Sequence, residues 1–212
     1  MKLHTYFRSS AAFRARIALN LKGVAYESLP KGLLKNDHRT ADYLALNPQG
    51  LVPALEIDGT VISQSLAIIE YLDETHPTPP LLPSDPLGRA RVRSMSQAIA
   101  CDIHPLNNMR VLNYLRRELE QDEDAVNRWI RHWITEGFSA LEVHARQYST
   151  SKRFLFGDSV TMADICLLPQ MFNARRFEVD LAAFPTLVAI AAHLESLPAF
   201  AAARPEVQPD AT

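Results

Sequence analysis

The sequence predicts a small α/β domain followed by an all-α domain, and three observations lead there. The first 75 residues alternate short extended runs with helical patterns, in the order βαβ, a loop segment, then ββα. Residues 76–86, HPTPPLLPSDP, hold five prolines and read as an extended surface linker, because proline neither continues a helix nor lets the residue before it do so. Beyond that stretch, long helical patterns follow one another with no strand signal of comparable strength. The expected division is therefore 1–78 and 87–212, with 79–86 between them.

Each element has a local cause. KLHTYF at 2–7 reads as a short strand, and a helix over 10–22 follows, with apolar Ala12, Ile17, Leu19 and Leu21 and a stop at Gly23. AYESLP at 25–30 is a second strand; residues 31–50 look loop-like and end in the turn sequence Asn47-Pro48-Gln49-Gly50. LVPALEIDGTVISQS gives two short strands joined at Asp58-Gly59, a dipeptide favoured in tight hairpins. QSLAIIEYLDETH is a helix with Leu66, Ile69 and Leu72 as core candidates. Helical patterns then cover 87–118, 123–148 and 162–175, with shorter ones at 185–196 and 198–204. Thr161 and Asp164 form a capping box at the start of the 162–175 helix.

Composition narrows the function classes. With 47% hydrophobic and 22% charged residues the 212-residue chain can bury a substantial core. A net charge of −2 gives no reason to expect nucleic acid or an anionic membrane as partner, and no apolar run approaches a membrane span. Cys101 and Cys166 lack metal-binding spacing and read as reduced thiols, which with no leader segment in view suggests a cytoplasmic protein. Arginine supplies seventeen of the 22 basic side chains. That bias suits a protein that grips carboxylates bidentately, and equally a GC-rich coding sequence.

Five stretches carry the candidate chemistry. In RSSAAFRARIAL, Ser9 and Ser10 sit where a strand gives way to a helix; they either cap the helix or aim hydroxyl and N–H groups at an anion, and Arg8 stands beside them. Val52-Pro53 either ends an edge strand or presents free backbone groups to a peptide-like ligand. Gln64-Ser65 opens a helix whose capping-box acid is missing, since Ile68 occupies that position, so Ser65 is either the cap or a donor to an anion. In His104-Pro105-Leu106-Asn107-Asn108-Met109-Arg110 the proline should kink a long helix; His104 and Asn108 share a face at four-residue spacing, and Arg110, which on a straight helix faces roughly the other way, is either turned inward by the kink or reaches another part of the same region. Of Arg175 and Arg176 at the end of the 162–175 helix, at most one faces a given ligand, and Arg176 is the candidate.

RSSAAFRARIAL, NPQGLVPAL, QSLAIIEYL and CDIHPLNNMRVL, in this order and across essentially the whole chain, resemble the zeta class of cytosolic glutathione transferases. The resemblance implies a thioredoxin-like domain that binds glutathione, an all-α domain that receives a small dicarboxylate substrate, and a homodimer. It implies that Ser9, Ser10 and Ala11 surround the glutathione sulfur and that a cis Val52-Pro53 bond presents Val52 to the peptide-like backbone. Gln64 and Ser65 would take the γ-glutamyl carboxylate, with His38 and Gln49 toward the glycyl end. His104 and Asn108 would line the cleft mouth, and Asp102 would reach the neighbouring subunit's glutathione.

The implied reaction is cis–trans isomerisation of maleylpyruvate, with maleylacetoacetate as the alternative substrate and a non-catalytic binding protein of the same fold as the alternative of another kind. A thiolate adds to the conjugated alkene, the new single bond rotates, and the thiolate leaves. The protein must hold the thiolate, bind two carboxylates through Arg8, Arg110 and Arg176, and stabilise an enolate oxygen. Many zeta-class proteins carry cysteine where this chain has Ala11, so the nucleophile here must come from glutathione.

Overall fold

The computed structural model describes residues 1–211, which fall into two compact units: Met1–Pro80 together with the chain from Leu197 onward, and Leu81–Ser196. The expected division carried the second domain through to residue 212. The C-terminal segment instead packs with the first unit, because buried Arg16 and Asn20 donate to the carbonyls of Ala203 and Ala199 at 3.0 Å each.

In the first unit a four-stranded sheet in the order β2-β1-β3-β4 is built from β1 (Lys2–Thr5), β2 (Glu27–Pro30), β3 (Ala54–Ile57) and β4 (Thr60–Ser63). β1 and β2 are parallel and need a crossover, which α1 (Ser10–Leu21) supplies. β3 runs antiparallel to both neighbours, with Leu3 opposite Leu55 and Ile57 opposite Thr60. Asp58 and Gly59 turn the hairpin with φ of 48° and 81°, the conformation for which that dipeptide is favoured. α1 and α3 (Ser65–Thr75) bury Phe13, Ile17, Leu19, Ile68, Ile69 and Leu72.

The stretch expected to be loop holds two 3₁₀ turns, Leu33–Lys35 and Asp37–Arg39, and a six-residue helix, α2 (Ala41–Leu46). That helix is too short for its period to show in the sequence. Tertiary bonds hold it: Tyr43 is buried and its hydroxyl donates to the Leu51 carbonyl at 2.7 Å, which also receives Asn47 Nδ2 at 2.8 Å.

The second unit is helical: α4 (Pro86–Gln97), α5 (Met109–Arg117), α6 (Glu123–Tyr148), α7 (Met162–Arg176) and α8 (Pro185–Ser196); a short α9 (Pro198–Ala201) belongs with the first unit. The proline stretch is not a free surface linker. Leu81 and Leu82 are buried, the Leu81 carbonyl accepts from Met162 N–H at 2.9 Å, and Asp85 caps α4 with Pro86 as its first residue. α7 is the central helix, with every residue from Met162 to Met171 buried, so it is enclosed all round rather than on one stripe.

The helix expected over 87–118 is interrupted rather than kinked. α4 passes into a π-helical segment at Ala98–Ile103 and a 3₁₀ turn at His104–Asn107, and Asn108 then leaves the helix at φ −75°, ψ 147°. Pro105 has no N–H to continue the α ladder, and neighbours absorb the rewound backbone. Trp129 Nε1 donates to the Leu106 carbonyl at 2.8 Å. Gly137 of α6 lets Ile103 approach so closely that a β-carbon there would lie 2.2 Å from the isoleucine side chain.

Two buried carboxylates hold helix starts. Glu142 accepts from Thr186 N–H at 3.1 Å, Leu187 N–H at 3.0 Å and Arg146 Nε at 2.9 Å. Burial alone would raise its pKa, but those bonds outweigh it and hold the group below the usual range. Asp164, fully buried, accepts from Leu155 N–H, Thr161 N–H and the Thr161 hydroxyl at 2.7, 2.8 and 2.9 Å. Here burial wins, and the carboxyl is pushed up to about 6.

A carboxyl raised in the folded state binds its proton more tightly there than in the unfolded chain, so its contribution to stability falls as pH rises from about 4 to about 6. Asp164→Ala should lower the unfolding free energy by about 3 kcal/mol through two orphaned buried N–H groups. Urea unfolding should give a larger difference from wild type at pH 5 than at pH 7; the reverse order would contradict the assignment.

Candidate active site

The N-terminus of α1 is the first half of the site. Ser9 is its N-cap, with its Oγ accepting from Ala12 N–H at 3.2 Å and its carbonyl accepting from Phe13 N–H at 2.8 Å. Ser10 and Ala11 are the first two helical residues, and their N–H groups have no hydrogen-bond partner among the described residues. Capping and anion binding are therefore compatible. Ser9 Oγ spends a lone pair on the cap and keeps its proton to donate, while Ser10 and Ala11 offer N–H groups at the positive end of the helix.

The turn leading into α1 is held by a residue the sequence reading passed over. Arg16, fully buried, donates from Nη2 to Phe7 O at 2.9 Å, from Nη1 to Thr5 Oγ1 at 3.0 Å and Tyr6 O at 3.4 Å, and from Nε to Ala203 O at 3.0 Å. Burial draws its pKa down to about 10, leaving it charged at neutral pH. Arg8 follows immediately, its guanidinium 5.0 Å above the Phe7 ring and donating to Tyr6 Oη at 3.1 Å.

The second half is the start of α3. Gln64 precedes it at φ 72°, a left-handed conformation that a residue with a β-carbon adopts only under constraint. Ser65 is not the cap but the first helical residue. Its Oγ accepts from Nη1 of buried Arg14 at 3.3 Å, which again leaves the hydroxyl proton to donate. The N–H groups of Ser65, Leu66 and Ala67 find no partner among the described residues; that of Ile68 returns to the Gln64 carbonyl. Arg14 thus links the two helix starts.

The remaining first-unit candidates gather around these ends. Gln64 Nε2 donates to Gln49 Oε1 at 2.9 Å. Val52-Pro53 is a cis peptide just before β3, and no backbone hydrogen bond of Val52 forms among the described residues. His38 is half-buried with its Nδ1 lacking a hydrogen-bond partner among the described residues, and burial together with neighbouring Arg39 holds its pKa below the usual value. It borders the Asn47–Gly50 turn, where a β-carbon on Gly50 would lie 3.0 Å from the His38 carbonyl.

In the second unit, Asp102 is exposed on the π-helical segment and His104 opens the 3₁₀ turn. The shared-face argument for His104 and Asn108 does not hold. Asn108 is the N-cap of α5, with its Oδ1 accepting from Arg110 N–H at 3.1 Å, and Arg110 is exposed in the first turn of that helix. At the end of α7, Arg175 is paired with Glu195, and Arg176 is exposed with its guanidinium 5.2 Å from the Phe177 ring. Arg131 of α6 fixes that end by donating to the Phe177 carbonyl at 2.7 Å.

Residues 8–75 match the family of glutathione S-transferase N-terminal domains. The chain is 49% identical over 210 residues to maleylpyruvate isomerase of a Ralstonia species, with 99% of both covered. It is also 49% identical over 213 residues to maleylacetoacetate isomerase of Pseudomonas aeruginosa, covering 99% of this chain and 98% of the relative. Among solved structures, a holo maleylpyruvate isomerase described as a bacterial zeta-class glutathione S-transferase superposes with a TM-score of 0.98 at 48% identity over the full length of both chains. A maleylacetoacetate isomerase of Methylobacterium extorquens with bound malonate and glutathione gives 0.96 at 42% identity, again over both full lengths. The fold is that of a glutathione transferase. Within that fold, the chain belongs to the zeta-class family of maleylpyruvate and maleylacetoacetate isomerases.

Ser9→Ala should remove the α1 cap and lower the unfolding free energy by about 1 kcal/mol, whereas Ser10→Ala should change it by less than about half as much. Denaturant unfolding of both variants checks this; equal losses would contradict the division of labour.

Proposed function

We propose that the chain is a glutathione-dependent isomerase that converts maleylpyruvate to fumarylpyruvate, working as a cytoplasmic homodimer. The observation that carries this reading is the pair of open helix N-termini in the first unit, joined by the Arg14–Ser65 bond and flanked by the unpaired backbone of Val52. A tripeptide with a thiol, an extended backbone and a γ-glutamyl carboxylate fits that donor set. Residues 1–78 act as the thioredoxin-like glutathione domain, and the helical residues beyond the proline stretch receive the substrate.

Bound glutathione supplies the thiolate that adds to the alkene and leaves after rotation. The residues of the chain do the rest. Ser10 and Ala11 N–H, with the Ser9 and Ser10 hydroxyls, lower the thiol pKa by donating to the charged form at a helix N-terminus. The Ser65 hydroxyl and the N–H groups of Ser65 and Leu66 hold the γ-glutamyl carboxylate, Val52 aligns the backbone beside Pro53, and Gln64, Gln49 and His38 fix the two ends. Arg8, Arg110 and Arg176 bind the substrate carboxylates, each contact contributing about 1.5–3 kcal/mol. His104 and Asn108 line the cleft mouth, and Asp102 reaches the glutathione of the neighbouring subunit. No protein base is required, because the isomerisation has no net proton transfer.

Maleylacetoacetate is the competing substrate. It is longer by one methylene, a difference worth about 1–3 kcal/mol in a pocket, and relatives of both activities are 49% identical to this chain. Ala11 gives no protein thiol beside the serine pair, so turnover should require added glutathione. The test follows loss of the maleylpyruvate ultraviolet band with and without glutathione, and repeats it with maleylacetoacetate. Glutathione-dependent turnover with a higher kcat/KM for maleylpyruvate is expected. Substantial turnover without thiol would overturn the mechanism, preference for the longer acid would reassign the substrate, and no turnover of either would leave a binding protein.

A further inference from the structure

We propose that Asp210 is a positioning residue for the thiol site, its carboxylate holding the Tyr6–Arg8 turn in the register that aims the α1 N-terminus at the glutathione sulfur. This rests on the functional reading above. The Phe7 N–H donates to Asp210 Oδ2 at 2.9 Å, and the Phe7 carbonyl receives Arg16 Nη2 at the same distance. Both backbone polar groups of Phe7 are thus held two residues before Ser9, one of them by the last turn of the described chain. The turn then closes locally, with Ser9 N–H donating to the Tyr6 carbonyl at 3.0 Å.

The tail is built for this contact. It is tied to Arg16 at the Ala203 carbonyl, and Gln208 Nε2 donates to the carbonyls of Ala202 and Arg204 at 3.0 and 2.8 Å. Ala211 N–H then returns to the Gln208 carbonyl at 3.0 Å, which folds Asp210 back toward Phe7. The second carboxylate oxygen, Oδ1, is buried with no hydrogen-bond partner among the described residues. Burying half a carboxylate is unfavourable, and a purely decorative tail has no physical reason to do so. The Phe7 N–H bond and the charge of Arg16 offset that cost.

The consequence reaches the chemistry through Phe7. Its ring carries the Arg8 guanidinium and its backbone leads into the Ser9 cap, so a shift of this peptide moves the substrate arginine and the Ser10 and Ala11 N–H groups together. The tail's bonds to Arg16, Asn20 and Phe7 go to α1 and the turn before it, not to α3, which in the proposed reading takes the other end of glutathione. Loss of Asp210 should therefore affect the sulfur end and spare the carboxylate end.

The test uses the full-length chain and the variants Asp210→Ala and Asp210→Asn, with deletion of 209–212 as an independent route should Asp210→Ala fold poorly. The thiolate ultraviolet band of the glutathione complex is titrated with pH, alongside kcat, KM for glutathione and thermal midpoint. Asp210→Ala and the deletion should raise the bound thiol pKa by about half a unit to one unit. They should lower kcat about three- to tenfold while leaving KM for glutathione within about twofold. Asp210→Asn keeps an acceptor for the Phe7 N–H and should return both quantities to wild-type values. An unchanged thiol pKa in Asp210→Ala and the deletion, whatever the thermal midpoint, would make the tail merely structural. A wild-type chain that binds no glutathione overturns the functional reading and this proposal with it; a chain that binds it with variants unaltered overturns the proposal alone.

Discussion

The buried guanidinium of Arg16 joins the end of β1, the turn before α1 and the C-terminal tail in one hydrogen-bonded knot. Four of its contacts go to neutral oxygens, of Thr5, Tyr6, Phe7 and Ala203. A lysine could not reproduce them, because a point charge with three donors does not span a planar fork. Leaving those buried acceptors unpaired would cost about 1–3 kcal/mol each. What the start of α1 offers to an anion depends on this knot, since Arg8 and Ser9 follow directly from the peptide it holds.

Helix ends are the recurring device of this molecule, and each is handled according to its task. Where stability is the task, a carboxylate closes the end: Asp85 on α4, Asp122 on α6, Glu142 on α8 and Asp164 on α7. Where the proposed function receives an anion, no carboxylate occupies the end. α1 is capped by a serine and α3 starts behind a glutamine in a left-handed conformation, and both leave N–H groups open. An open helix N-terminus is unfavourable for folding and favourable for binding a thiolate or a carboxylate. The constraint on Gln64 belongs with the same trade.

How much of this was legible in the sequence follows from the range of the interactions involved. The Asp58-Gly59 hairpin and the Thr161/Asp164 signal act within a few residues and read directly. α2 did not show, because its six residues are helical only through Tyr43 and Asn47 reaching Leu51. The break at 98–108 was foreseen as a kink at Pro105, but how far the π-helical segment extends depends on Gly137 and Trp129 of another helix. Arg14 and Arg16 carry no local signal of their roles: their partners are two side-chain hydroxyls and backbone carbonyls, one of them 187 residues away, and no residue pattern announces a carbonyl. The C-terminal tail was assigned to the wrong unit for the same reason.

The central claim, that Arg16 holds the thiol-site turn, is tested most directly by amide hydrogen exchange on Arg16→Lys, comparing the segment 5–13 with the α7 core at 162–171. A selective loss of protection in 5–13, with α7 protected as in wild type, is the predicted result. Unchanged protection across 5–13 would contradict it, and so would an equal loss in both segments.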